Sequence, residues 1–167
     1  QVLPPDAPLN LLSEIVPASR IEELQETGEL NMAVPLDGVG NFRVSAFRQR
    51  SSYAVVIRFV PGDVPALDSL NVAPVLSELV MEKRGLVLFV GATGAGKTTT
   101  LAAMIDHRNE HATGHILTIE DPIEYTYRNK KSVVNQREIG TDTQSLQIGL
   151  KNALRQAPDV ILIGEIR

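Results

Sequence analysis

Residues 91–98 read GATGAGKT. Gly91, Gly96, Lys97 and Thr98 satisfy the Gly, Gly, Lys and Ser/Thr positions of a phosphate-binding loop. Chemistry explains the pattern. Glycines let consecutive backbone N–H groups turn inward around phosphate oxygens, and a helix N-terminus placed after them adds favourable partial charge. The spacing predicts that Lys97 reaches the β- and γ-phosphates of ATP and that the Thr98 hydroxyl joins a Mg²⁺ shell. Ala92, Thr93, Gly94, Ala95 and Thr99 complete the expected nucleotide-binding set.

A phosphate loop needs carboxylates opposite it, and in an open α/β sheet these gather at the carboxyl ends of strands. Two acidic clusters qualify. A predicted strand at 115–119 leads into Glu120-Asp121-Pro122-Ile123-Glu124, and the apolar Val160-Ile161-Leu162-Ile163 leads into Gly164-Glu165. Pro122 stops simple continuation of the first strand and forces a turn. The second resembles a Walker B element, whose apolar run ordinarily ends in an Asp that helps hold Mg²⁺. Gly164 takes that place here, and Glu165 follows one residue later. Glu165 is therefore expected to polarise an attacking water. The metal-side carboxylate must come from elsewhere, with Glu120, Asp121 and Glu124 as the suppliers: Glu120 and Asp121 beside Thr98 at the metal, Glu120 and Glu124 in catalysis.

The elements that position these groups follow from periodicity. Residues 86–90, LVLFV, predict a strand feeding the loop, and residues 98–110 a helix leaving it. Asn71 is expected to cap a helix over 72–83 closed by Gly85. Strands are predicted at 115–119, 132–135 and 160–163, and a helix at 144–156, stopped by Pro158. Such alternation, with strands apolar on both faces, predicts an α/β fold: a parallel sheet covered by helices.

The first sixty residues have a different texture. Ser19 and Glu22 suggest a capping box for a helix through Gln25, ended by Gly28. Strands at 29–36 and 41–49 flank Asp37-Gly38-Val39-Gly40, a hairpin turn, and 53–60 makes a third strand. Alternation puts Phe42, Val44 and Ala46 on one face and Arg43, Ser45 and Phe47 on the other. Pro61-Gly62-Asp63-Val64-Pro65 then reads as the start of a linker. The expected domains are 1–60, a linker at 61–70, and 71–167.

Composition bounds the function. With 43% hydrophobic and 22% charged residues, the chain can bury a core. A net charge of −4 and 4% aromatics argue against a nucleic-acid partner. There are no cysteines, which excludes disulfides and thiolate metal sites in this stretch and fits a reducing compartment. No apolar run approaches the ~20 residues of a membrane span. The chain opens at Gln1 within a proline-rich stretch and stops after an apparent strand, so it reads as a fragment.

GATGAGKTTTLAAMID, ILTIEDPIEY, VVNQREIG and LRQAPDVILIGEIR together resemble the type II/IV secretion ATPases, in the PilT/PilU-type branch of type IV pilus retraction motors. They are similar to that family's Walker A, its Asp box, the segment after it and the secretion-ATPase signature. The similarity spans nearly the whole chain and is weakest over residues 1–28. It implies a partial RecA-like P-loop domain preceded by part of a small PAS-like α+β domain, with the family's His box lying after Arg167. It further implies a homo-hexameric, cytoplasmic ATPase at the inner-membrane base of the pilus machine. Its partners would be a platform protein and a paralogous motor subunit, without direct membrane insertion. In the family, Glu165 would be the catalytic base, and arginines of the N-terminal domain approach the γ-phosphate. The matching positions are Arg43 and Arg58, then Arg48.

Three functions remain in competition: a motor of pilus retraction (twitching motility), an assembly or secretion ATPase of the same superfamily, and an accessory nucleotide-binding subunit without its own hydrolysis. The QREIG segment and the short chain before the motor domain favour retraction. His107-Arg-Asn-Glu-His111 also matches the H-x-x-E-H pattern of a zinc peptidase class. Its place at the far end of the loop's helix reads instead as a solvated helix terminus.

Overall fold

The computed structural model describes residues 4, 6–36, 39–60 and 63–166. It divides into two units, Gln1–Gly62 and Asp63–Arg167. Asp37, Gly38, Pro61, Gly62 and Arg167, which the hairpin-turn, linker and C-terminal readings involved, lie outside the described residues.

In the first unit, α1 (Ala7–Ile15) and α2 (Ala18–Thr27) pack on an antiparallel sheet of β1 (Glu29–Leu36), β2 (Gly40–Gln49) and β3 (Ser52–Val60), in that order. Strand alternation sends Leu30, Val44 and Ala46 into a core with Leu12, Val16 and Leu24, as a two-residue period requires. Gly28 closes α2 in the left-handed region, φ 81°, where a Cβ is disfavoured. The expected capping box is absent: α2 starts at Ala18 behind an extended Pro17, without a side-chain cap, and Ser19 sits inside the helix. Helix α1 was not expected from the sequence.

The second unit holds a parallel sheet of β4 (Gly114–Glu120), β5 (Ser132–Glu138) and β6 (Val160–Ile163), ordered β5-β4-β6. Helix α4 (Lys97–His111) contributes Ala102 and Ile105 to a cluster with Ile116, Val134 and Leu162. Helix α5 (Leu146–Ala153), capped by the Ser145 hydroxyl, places Ala153 and Leu150 against Leu117, Ile119 and Ile161. Successive residues of β4 thus point to opposite layers, which is the α/β architecture expected.

Two expectations for the second unit fail. The helix read at 72–83 is only α3 (Val75–Leu79), and Asn71 instead ends a 3₁₀ turn, Leu67–Leu70, with φ 51°. Pro74 sets the start of α3 at its N-cap. Val64, Leu67 and Leu70, in the stretch read as linker, pack with Ala103 and Met104. Residues 86–90 form no strand: among the described residues no ladder partner lies beside them, and Leu86, Leu88 and Val90 are exposed, with Phe89 only partly buried. A strand exists only through its ladder, so apolar β-type residues alone do not make one.

Candidate nucleotide-binding and hydrolysis site

The phosphate loop closes through a hydrogen bond from Ala95 N to Ala92 O and ends at Gly96, which caps α4 with φ 84°; Gly94 has φ 82°. A side chain at either position would be strained, so the sequence reaches this turn through glycine. Lys97 folds over the loop, its Nζ donating to Gly91 O and Ala92 O at 2.9 Å each. A phosphate oxygen could exchange with those carbonyls as the ammonium's partner.

Thr93, Gly94, Gly96, Lys97, Thr98 and Thr99 line one side of a cavity of about 360 Å³. Glu120, Asp121, Pro122, Glu124, Gly164 and Glu165 line the rest. This volume falls in the range of small-molecule sites. The fold therefore brings together all four acids singled out from sequence. Gly91, Ala92 and Ala95 do not line the cavity; they shape the loop.

Parallel registry explains the convergence. Ile119 pairs with Ile163, and Gly164 N donates to Ile119 O at 2.9 Å, so the tips of β4 and β6 are adjacent. The Asp121-Pro122 peptide is cis, and the Ile123 N–H donates to Glu138 Oε2 at 3.1 Å, which ties this turn to the end of β5.

Glu120 differs from its neighbours. It is 5% exposed and accepts hydrogen bonds at one carboxylate oxygen from Thr118 Oγ1, 2.6 Å, and Gln136 Nε2, 3.3 Å. Burial pushes its carboxyl above the usual carboxylate range. The bonds from Thr118, Gln136 and the Glu124 backbone oppose that rise, while the Glu124 charge adds to it. Asp121 is exposed and Glu124 half-buried. Tyr125 links the acid turn to the loop's helix, its hydroxyl lying 3.3 Å from Thr99 Oγ1.

Thr118, Gln136 and Tyr125 were not singled out in the sequence. A two-residue period from Ile116 would have found Thr118, since 116, 118 and 120 share the face that packs on α4.

The oxygen donors suit a hard cation. Thr98, Glu120 and Asp121 all line the cavity, and among the described residues no cluster of three or more His, Cys, Asp or Glu side chains is arranged to hold a metal. Mg²⁺ is characteristically held by one or two carboxylates together with phosphates and waters, so these residues fit it. The three histidines form no joint site: His107 and His111 stack with ring centroids 4.2 Å apart, while His115 Nε2 bonds Asn135 Oδ1 at 2.9 Å.

Arg43 and Arg58 lie in the first unit as cross-strand partners on β2 and β3. Arg48 is committed elsewhere, its Nη2 donating to Gln25 O at 2.6 Å while the guanidinium lies against the Tyr53 ring. Among the described residues no helix is long and apolar enough to cross a membrane.

Comparison with known proteins places this geometry. Residues 22–167 match the family described as type II/IV secretion system protein. The type IV pilus ATPase PilU of Pseudomonas aeruginosa is 52% identical over 145 residues, covering 87% of this chain and 38% of that protein. The type IV pilus retraction ATPase PilT of the same organism is 42% identical over 157 residues, covering 94% and 46%. A crystal structure of the pilus retraction motor PilT with bound ADP superimposes with TM-score 0.95 at 42% identity, covering all of this chain and 48% of that one. The chain thus spans less than half the length of these relatives.

Proposed function

This chain belongs to the type II/IV secretion system protein family, and we propose that in the whole protein its cavity binds ATP with Mg²⁺ and hydrolyses it to drive retraction of a type IV pilus. The observation that carries the reading is the convergence of Lys97, Thr98, Glu120, Asp121, Glu124 and Glu165 on one cavity. Its support on the side of biology is the likeness to PilT and PilU.

The loop's N–H groups and Lys97 hold the β- and γ-phosphates. Mg²⁺, when bound, would neutralise charge on those phosphates. Thr98, Glu120 and Asp121 would hold it. Glu165, at the tip of β6, takes the part of general base and orients the attacking water, with Glu124 and Glu120 shaping the field around it. Arg43 and Arg58 are proposed to stabilise the γ-phosphate charge of a neighbouring subunit in a homo-hexameric ring. The proposed setting is the cytoplasmic face of the inner membrane, against a platform protein and beside a paralogous motor subunit.

The test is calorimetric titration of the full-length protein with ATP and Mg²⁺, beside steady-state hydrolysis. Lys97→Ala should weaken nucleotide affinity by roughly 10- to 100-fold, the scale of losing a charge-assisted hydrogen bond. A folded full-length protein without saturable nucleotide binding contradicts the proposal.

A further inference from the structure

On the face of the sheet that packs against α4, β4 and β5 turn from apolar to polar between Ile116 and their tips. Ile116 pairs with Val134 deep in the core, then Thr118 with Gln136, then Glu120 with Glu138 at the tip. Polar groups placed below a strand tip cost free energy unless hydrogen-bonded. Gln136 uses its whole amide. Its Oε1 accepts from Tyr127 N at 2.9 Å, and its Nε2 donates to Tyr125 O at 2.8 Å and to Glu120 Oε1 at 3.3 Å. One side chain thus grips the cavity's most buried acid and, at two points, the segment carrying Tyr125, whose hydroxyl meets Thr99 on the phosphate-loop helix.

We propose that Gln136 is a positioning residue for hydrolysis: its amide nitrogen donates both to the Glu120 carboxylate and to Tyr125 O, fixing that acid in the cavity it shares with the phosphate loop. The inference rests on the reading of Glu120 as part of the hydrolytic site. Thr118 fixes the same carboxylate oxygen from within β4, so Gln136 supplies the hold that ties it to a second strand. Loss of such an outer hydrogen bond to a metal-side acid typically costs 10- to 100-fold in activity.

Two substitutions separate positioning from simple support. Gln136→Met keeps the volume and removes every hydrogen bond. Gln136→Glu keeps an acceptor for Tyr127 N but has no N–H to give. In the full-length protein, both should lower kcat by ~10- to 100-fold. KM, and the calorimetric Kd for ATP with Mg²⁺, should stay within ~3-fold. The Tyr127 amide should remain protected from hydrogen exchange in Gln136→Glu. If Gln136→Met does not fold, Gln136→Glu decides alone. Wild-type turnover in Gln136→Glu would overturn the proposal, because a backbone tether would then suffice. Glu120→Gln, measured beside them, separates the two layers. Its inactivity together with full turnover in the Gln136 variants sinks only this inference, whereas full turnover in Glu120→Gln removes the reading on which it rests.

Discussion

Gly164 and Glu120 sit so close on neighbouring strand tips that a Cβ at position 164 would lie 3.3 Å from the Glu120 Cα and 3.4 Å from its Cγ. The space that a side chain at 164 would take is occupied by the backbone and side-chain stem of Glu120. A residue without a side chain at 164 lets the stem of the buried Glu120 pack there.

Gly164→Ala tests that packing. The added methyl must displace Glu120 by a few tenths of an ångström, a crowding that costs about 1 kcal/mol of stability. Turnover of the full-length protein should fall by roughly 10-fold, since misplacement of 1 Å costs about 10²-fold. Calorimetry should find ATP affinity unchanged, because the phosphate loop is untouched. An unaltered rate would mean that the exact place of Glu120 is unimportant.

A second prediction concerns pH and the far end of α4. Lys130 bridges Asp106, 2.8 Å, and Glu110, 2.5 Å. The hydrogen bond from Lys130 is the main cause that lowers the Glu110 carboxyl from its ordinary 4.5, against a smaller desolvation effect. At Lys130 desolvation acts downward, but the bonds to Asp106 and Glu110 outweigh it and raise the ammonium above 10.5. A lowered acid stabilises above its unfolded value, and that contribution disappears as pH falls through the folded one; a raised base loses its contribution as pH rises through the folded value. The stability difference between wild type and Lys130→Met should therefore be flat from just above 4.5 to just below 10.5 and vanish on either side. Denaturant midpoints across pH would measure it. The pair is partly exposed, so the plateau should be small and shrink with salt.

The two cross-strand arginines give a third. If Arg43 or Arg58 serves a neighbouring subunit, a protein carrying Lys97→Ala and another carrying Arg58→Ala or Arg43→Ala, each inactive alone, should regain hydrolysis when mixed. Mixed interfaces then pair an intact loop with an intact arginine, whose loss is worth ~10³-fold or more. Co-assembly without any recovery would contradict action between subunits.

The phosphate loop, β4, β6 and the acids at their tips were legible because each is announced locally: glycine where φ is positive, and apolar runs ended by carboxylates. Gly28 was legible for the same reason. Residues 86–90 misled because strand character depends on a ladder partner, which residue type does not encode. Asn71 and Ser19 misled because Pro74 and Pro17 set the nearby helix starts instead. Gln136 escaped notice because its role rests on registry between β4 and β5, a non-local pairing. Glu120 was visible as an acid, but its burial follows from that registry and from Gly164.

The most direct measurement is single-turnover ATP hydrolysis by the full-length Glu165→Gln protein, with nucleotide affinity determined in parallel. Hydrolysis should fall at least ~10²-fold, the scale of a lost general base, while ATP with Mg²⁺ still binds as in the wild type. Wild-type turnover in that variant would contradict Glu165 as the base and move the role to Glu120 or Glu124.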